Sequence, residues 1–167
     1  MLSWPKGKHD GLKVIPHWPS KQVCISEMAW ERLLIVQSQL PESICLIVTR
    51  GYEPSASRVG ISRKLFRAIG IYFFRHAYKF RRDELEAIFG TNGHDVDGNH
   101  IDVSVALNGR RLRFLPLGVF TPLTWQNQRS QKYTTALHEV KTALVDQGFC
   151  IHKNMTESLQ IHCDLVL

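Results

Sequence analysis

The stretch His100-Ile101-Asp102-Val103-Ser104-Val105-Ala106-Leu107-Asn108-Gly109-Arg110-Arg111-Leu112-Arg113-Phe114-Leu115 decides the fold. From Ile101 to Leu107 large apolar residues alternate with small or polar ones at period two, the pattern of a strand. Asn-Gly is the dipeptide that best tolerates the two positive-φ positions of a tight hairpin turn. Arg110 to Leu115 alternates again, so the stretch predicts a β-hairpin. Upstream, Ile44-Cys45-Leu46-Ile47-Val48-Thr49 is apolar almost throughout and rich in β-branched residues, as a strand covered on both faces requires. It belongs at the centre of the sheet. Downstream, Phe149 to His152 and Leu159 to Val166 predict two short strands. In the second, Leu159, Ile161, Cys163 and Leu165 alternate with Gln160, His162 and Asp164.

Helical segments separate these strands. Ser26 is a suitable N-cap, with Glu27 in the first turn, for a helix running to about Leu40 and stopped by Pro41. Residues 61 to 89 read as mostly helical, with a second helix from Arg82 to Phe89 closed by Gly90. A further helix runs from about Ser130 to Gln147 and ends at Gly148. Residues 1–22 carry Pro5, Pro16 and Pro19 with Gly7 and Gly11 between them, which predicts an irregular N-terminal arm held by Trp4 and Trp18. Residues 23–167 then form a single α+β domain, a small and mostly antiparallel sheet with helices packed on one side.

Composition agrees with one domain. The 167 residues are 44% apolar and 22% charged, which excludes a disordered chain and supplies one core rather than two. The longest apolar runs are far too short to span a bilayer, and the N-terminal residues lack the apolar core of a secretory signal, so synthesis in the cytoplasm is expected. The net charge of +6 favours an anionic partner. Cys24, Cys45, Cys150 and Cys163 include no Cys-x-x-Cys pair, and we expect four buried free thiols.

Metal-capable side chains are densest in Gly93-His94-Asp95-Val96-Asp97-Gly98-Asn99-His100-Ile101-Asp102. Alternation puts His100 and Asp102 on one face of their strand, and His94 precedes them on a Gly-bounded turn that can fold back. Two ligands on one short segment with a third from elsewhere is the pattern of a catalytic zinc, whose fourth position stays open to water. His162 is the natural third ligand, because antiparallel pairing of its strand with 101–107 brings it opposite Asp102. The alternatives are a solvated turn whose carboxylates cap backbone amides, with no metal, and a calcium loop, which fits less well since imidazoles prefer softer ions.

Taken in order, Val48-Thr49-Arg50-Gly51-Tyr52-Glu53-Pro54, His94...Gly98-x-His100-Ile101-Asp102-Val103, Gly148-Phe149 and Ile161-His162 resemble the zinc D-alanyl-D-alanine carboxypeptidase and dipeptidase family, which includes phage endolysins. The resemblance covers about residues 43 to 166. It implies a hedgehog/D,D-peptidase-like fold and a zinc-dependent peptidase acting at the cell wall on peptidoglycan stem peptides, as a D,D-carboxypeptidase or an L-alanyl-D-glutamate endopeptidase. The implied metal ligands are His94, Asp102 and His162, with Asp95 and His100 as alternates to His94, which lies one residue off the family spacing. Glu53 replaces the family's substrate-orienting Arg, a role left to Arg50 or Arg58. The family's base position falls on Leu159 or Gln160, so Glu157 is the nearest candidate. That gap keeps a catalytically degenerate, metal-binding relative as one alternative.

The other alternative is a basic nucleic-acid-binding domain built on Arg63-Lys64-Leu65-Phe66-Arg67 and Arg75-His76-Ala77-Tyr78-Lys79-Phe80-Arg81-Arg82. Helical spacing gathers Phe66, Ile69 and Phe73 on one side, however, which equally describes a packed amphipathic helix with a basic outer face.

Overall fold

The computed structural model describes residues 1–52, 58–77, 79, 98–113, 123–152 and 159–166. In chain order these form β1 (Leu2–Pro5), β2 (Gly7–His9), β3 (Leu12–Val14), β4 (Gln22–Ile25), α1 (Glu27–Gln39), β5 (Ile44–Arg50), α2 (Arg58–Ala77), β6 (His100–Leu107), β7 (Arg110–Arg111), α3 (Leu123–Gln131), α4 (Thr134–Asp146), β8 (Phe149–Ile151) and β9 (Gln160–Leu165). The result is a mixed α and β fold with a mostly antiparallel open sheet. Its strand order is β2-β3-β5-β6-β9-β8, β7 pairs with β6, and β1 pairs separately with β4. Only the β3–β5 contact is parallel among the described pairs.

The hairpin turn forms as expected, with Asn108 and Gly109 at φ of 51° and 76° and β7 folding back on β6, but β7 is only Arg110–Arg111 and leaves Leu112 and Arg113 outside the strand. β5 is central, flanked by β3 and β6. Ile44, Leu46 and Val48 of β5, Ile101, Val103 and Val105 of β6, and Ile161, Cys163 and Leu165 of β9 all join one buried core cluster. Leu33 and Val36 of α1 and Leu137, Val140 and Leu144 of α4 are in the same cluster. Since strand residues alternate, His100, Asp102 and Ser104 of β6 and Gln160, His162 and Asp164 of β9 face the other side of the sheet. The core thus fixes the register that builds the polar face.

Four expectations need correction. Residues 1–22 are not an irregular arm: β1, β2 and β3 lie within them, and Leu12 and Val14 are fully buried against β5. Asp10 and Gly11 take φ of 49° and 99°, so an Asp-Gly hairpin turn outweighs the prolines around it. Trp4 does pack, 4.9 Å from Trp30 in α1, whereas Trp18 is exposed. The helix expected over 130–147 is present as α4, starting at Thr134 after a turn at Lys132-Tyr133, and a separate helix that was not expected, α3, precedes it. Of the cysteines only Cys163 is buried, and Cys150 on the edge strand β8 is exposed, although all four are free. Finally, α2 does not bury its Phe66, Ile69 and Phe73 side; those residues are exposed, and among the helix's described side chains only Phe74 is fully buried. The helix expected over Arg82 to Phe89 and the strand residues Phe114 and Leu115 lie outside the described residues.

Candidate metal centre

β6 and β9 pair with His100 opposite Asp164, Asp102 opposite His162 and Ser104 opposite Gln160. Directly paired residues of an antiparallel ladder point to the same face with their Cβ atoms about 5 Å apart. Three cross-strand pairs therefore line up as a polar stripe. The pairing of Asp102 with His162 is the one anticipated from the alternation of the two strands.

The side chains converge. His162 Nδ1 donates to Asp102 Oδ1 at 2.7 Å, and His100 Nε2 lies 3.8 Å from the same oxygen. One ligand atom from each of His100, Asp102 and His162 falls within 4.8 Å of the others. Gln160 Nε2 donates to Asp102 Oδ2 at 3.3 Å, and Arg50 Nη1 approaches that oxygen to 4.0 Å. Arg50 reaches it because of a bulge. The β5–β6 register shifts between Val48 and Arg50, so Arg50 rather than Thr49 opposes Asp102. Thr49 Oγ1 donates to the Asp102 carbonyl at 2.9 Å and pins the irregularity.

Burial alone would raise the pKa of Asp102. The hydrogen bond from His162 and the charges of His162, Arg50 and His100 outweigh it and hold the carboxyl below its ordinary range. Asp102 is thus an anion at neutral pH, only 3% exposed. A buried carboxylate without compensation is costly, and cations are what this one has gathered. On the opposite face of β9, burial pushes the Cys163 thiol well up, with Asp102 and Asp164 acting in the same direction. It is a structural thiol, not a nucleophile.

Two anchors position the site. Ser26 Oγ caps α1 by accepting from Ala29 N at 3.1 Å and donates to Asn99 Oδ1 at 2.6 Å, while Ser26 N donates to the Gly98 carbonyl. Gly98 has φ of +82°, and a Cβ there would lie 2.8 Å from Ser26 N, so only glycine lets the chain reach His100 along this path. Gly51 is equally constrained: its Cβ would stand 2.1 Å from the Cys24 carbonyl oxygen, which accepts from Tyr52 N.

Models of known protein families, characterised proteins and solved structures yield no match to this chain. The case for function rests on the site itself.

Of the residues singled out in the sequence, the structure brings together His100, Asp102, His162 and Arg50. His94, Asp95 and Glu157 lie outside the described residues, as do Glu53 and Asp97. Arg58 begins α2, but its side chain is outside the described set. Two residues were missed. His100 Nδ1 donates to Asp164 Oδ1, and Asp164 Oδ2 accepts from His152 Nε2 at 2.6 Å. His100, His152 and Asp164 also have ligand atoms within 4.8 Å of one another. The signal was available: the register that sets His162 against Asp102 necessarily sets Asp164 against His100. His152 follows just past the end of β8, its N–H bonded to the His162 carbonyl.

The donor set suits a borderline transition metal. Two imidazoles and one carboxylate, on rigid paired strands with a carboxylate behind one imidazole, could hold a metal ion.

Proposed function

We propose that this protein is a zinc-dependent peptidase with His100, Asp102 and His162 as its metal ligands, acting on peptidoglycan stem peptides. The single observation that carries the metal is the convergence of those three side chains to within 4.8 Å across one strand pair. The substrate class comes from the ordered resemblance of residues 43 to 166 to the D-alanyl-D-alanine carboxypeptidase and dipeptidase family, and with it a hedgehog-like arrangement of the fold.

Zinc bound there would lower the pKa of water toward 7 and polarise a carbonyl. The chain's own groups supply the rest. Asp164 holds the Nδ1 proton of His100 and so fixes the tautomer whose lone pair is on Nε2. Arg50, half-exposed beside Asp102, is the cation placed to receive a substrate carboxylate in the role vacated at Glu53. Glu157 takes the role of proton acceptor. His100, two residues before Asp102, replaces His94 as the upstream ligand, which is a departure from the family spacing rather than a repair of it.

The test is direct. Protein purified without chelator carries zinc near one equivalent by elemental analysis, and incubation with muropeptides releases D-alanine or exposes a new D-glutamate amino terminus. Glu157→Gln abolishes turnover and leaves zinc content unchanged. Absence of any transition metal overturns the site. Stoichiometric zinc with intact muropeptides overturns the peptidase and leaves the degenerate metal-binding relative.

A further inference from the structure

α2 inverts the usual rule for an amphipathic helix. At about 100° per residue, Ile61, Tyr72, Leu65, Ile69, Phe73 and Phe66 fall, in that order, within an arc of about 140°, and all six are exposed by 42–61%. On the other side of the helix Phe74 is fully buried and Gly70 and Ile71 are half-buried. Lys64 and Arg75 are exposed and fall just beyond the Ile61 edge of the apolar arc, whereas Arg67 falls beside Phe74 on the far side of the helix. Trp18, itself 68% exposed, stands edge-on to Phe66 at 5.1 Å and extends the patch beyond the helix. His76, exposed and bonded through Nδ1 to the Tyr72 carbonyl, falls inside the arc at its C-terminal end; an apolar face this wide marks an interaction site on a folded domain.

Charge identifies the partner. Residues 54–82 contain eight Lys and Arg and no Asp or Glu. A second copy of the chain, docked about a two-fold axis, would set this cationic flank against itself. Nucleic acid would satisfy the cations, but Leu65 and Ile69 at the centre of the arc can neither stack on a base nor hydrogen-bond a phosphate. An anionic bilayer satisfies both halves at once, with apolar side chains at the acyl boundary, Lys and Arg at the headgroups, and Trp18 and Tyr72 at the interface between them. No helix among the described residues is long and apolar enough to cross a membrane, so α2 lies in the surface plane.

We propose that α2 (Arg58–Ala77) is an in-plane membrane-docking helix that seats this domain on anionic lipid. The reading is independent of the metal centre, and so is its test. The intact chain is floated with vesicles of phosphatidylcholine alone and of phosphatidylcholine with phosphatidylserine, at low and high salt. It floats with the phosphatidylserine vesicles, and high salt weakens the binding. Leu65→Glu with Ile69→Glu abolishes flotation, while Lys64→Gln with Arg75→Gln weakens it about fivefold per charge removed; circular dichroism and zinc content stay as in the parent chain. A parent chain that fails to float with either vesicle overturns the proposal. So does single-stranded RNA binding that survives Leu65→Glu with Ile69→Glu, which assigns the flank to nucleic acid. A parent dimer that the same pair of changes turns monomeric, with no flotation, assigns the face to a second copy.

Discussion

The β6–β9 face and the outer face of α2 depart from the burial rule in opposite directions. The sheet buries Asp102 and His162 where apolar residues would fold more cheaply; the helix exposes Leu65, Phe66 and Ile69 where polar residues would be more soluble. In the first, every cost is met inside the protein: Asp102 has His162, Gln160 and Arg50 around it, and Asp164 has His100 and His152. In the second, nothing among the described residues covers the patch. A buried polar network with its partners in place is a preorganised site, whereas an apolar face without cover marks an encounter still to be made.

The largest effect is expected from breaking the buried pair. His162→Ala removes a ligand and the hydrogen bond that holds Asp102 ionised, leaving a buried carboxylate with weaker partners. Loss of one member of such a pair costs about 3–5 kcal/mol, and zinc content falls to background. Urea unfolding and elemental analysis on the same sample measure both. The pH dependence follows from the depressed pKa of Asp102. A carboxyl whose folded value lies below its unfolded value of 3.8 contributes stability that is complete above that value and is lost as the pH falls through the lower folded value. Unfolding of the zinc-free protein followed from neutral to strongly acidic pH therefore loses part of its stability at the acid end, and Asp102→Asn removes that part of the decline.

Asp164→Asn sharpens the comparison at the outer edge of the network. The amide keeps the shape but no longer holds a full charge behind His100, and zinc affinity drops by about 10–100-fold with the stoichiometry still near one. Competition with a chromophoric chelator measures it. Stoichiometry near two in the parent chain, falling to one in Asp164→Asn, would instead make His100, His152 and Asp164 a second ion site. Ser26→Ala comes next. It removes the α1 cap and the hydrogen bond to Asn99 that leads the chain into β6, at a cost of about 1 kcal/mol in chemical unfolding, with zinc affinity little changed because the strand ladder still holds His100.

The legibility of the two regions in sequence differs for a physical reason. Period-two alternation, an Asn-Gly turn and an uninterrupted apolar run are local signals, and they were enough to place β5, β6 and β9 and to set His162 against Asp102. Asp164 and His152 followed from the same register but had no local mark of their own, since a lone Asp or His on a strand reads as surface. The N-terminal strands were hidden because prolines and glycines punctuate them, and the Asp10-Gly11 turn was outweighed by its surroundings. The outward face of α2 was not legible at all. Periodicity reports that a helix has an apolar side but not whether that side meets the protein, and only the burial of Phe74 against the exposure of Leu65 and Ile69 decides it.

The smallest effect is therefore the most telling about α2. If its apolar arc contributed to the core, Leu65→Glu with Ile69→Glu would destabilise the domain as core polar substitutions do, by several kcal/mol. Both side chains are mostly exposed, so unfolding of the double variant should stay within about 0.5 kcal/mol of the parent. A large loss of stability would show that part of the chain covers this face in solution, and the contrast between a network completed inside the protein and a face completed outside it would fail at that point. An unchanged midpoint together with lost flotation leaves the apolar arc with no task in folding, and its exposure is then accounted for by the anionic surface it meets.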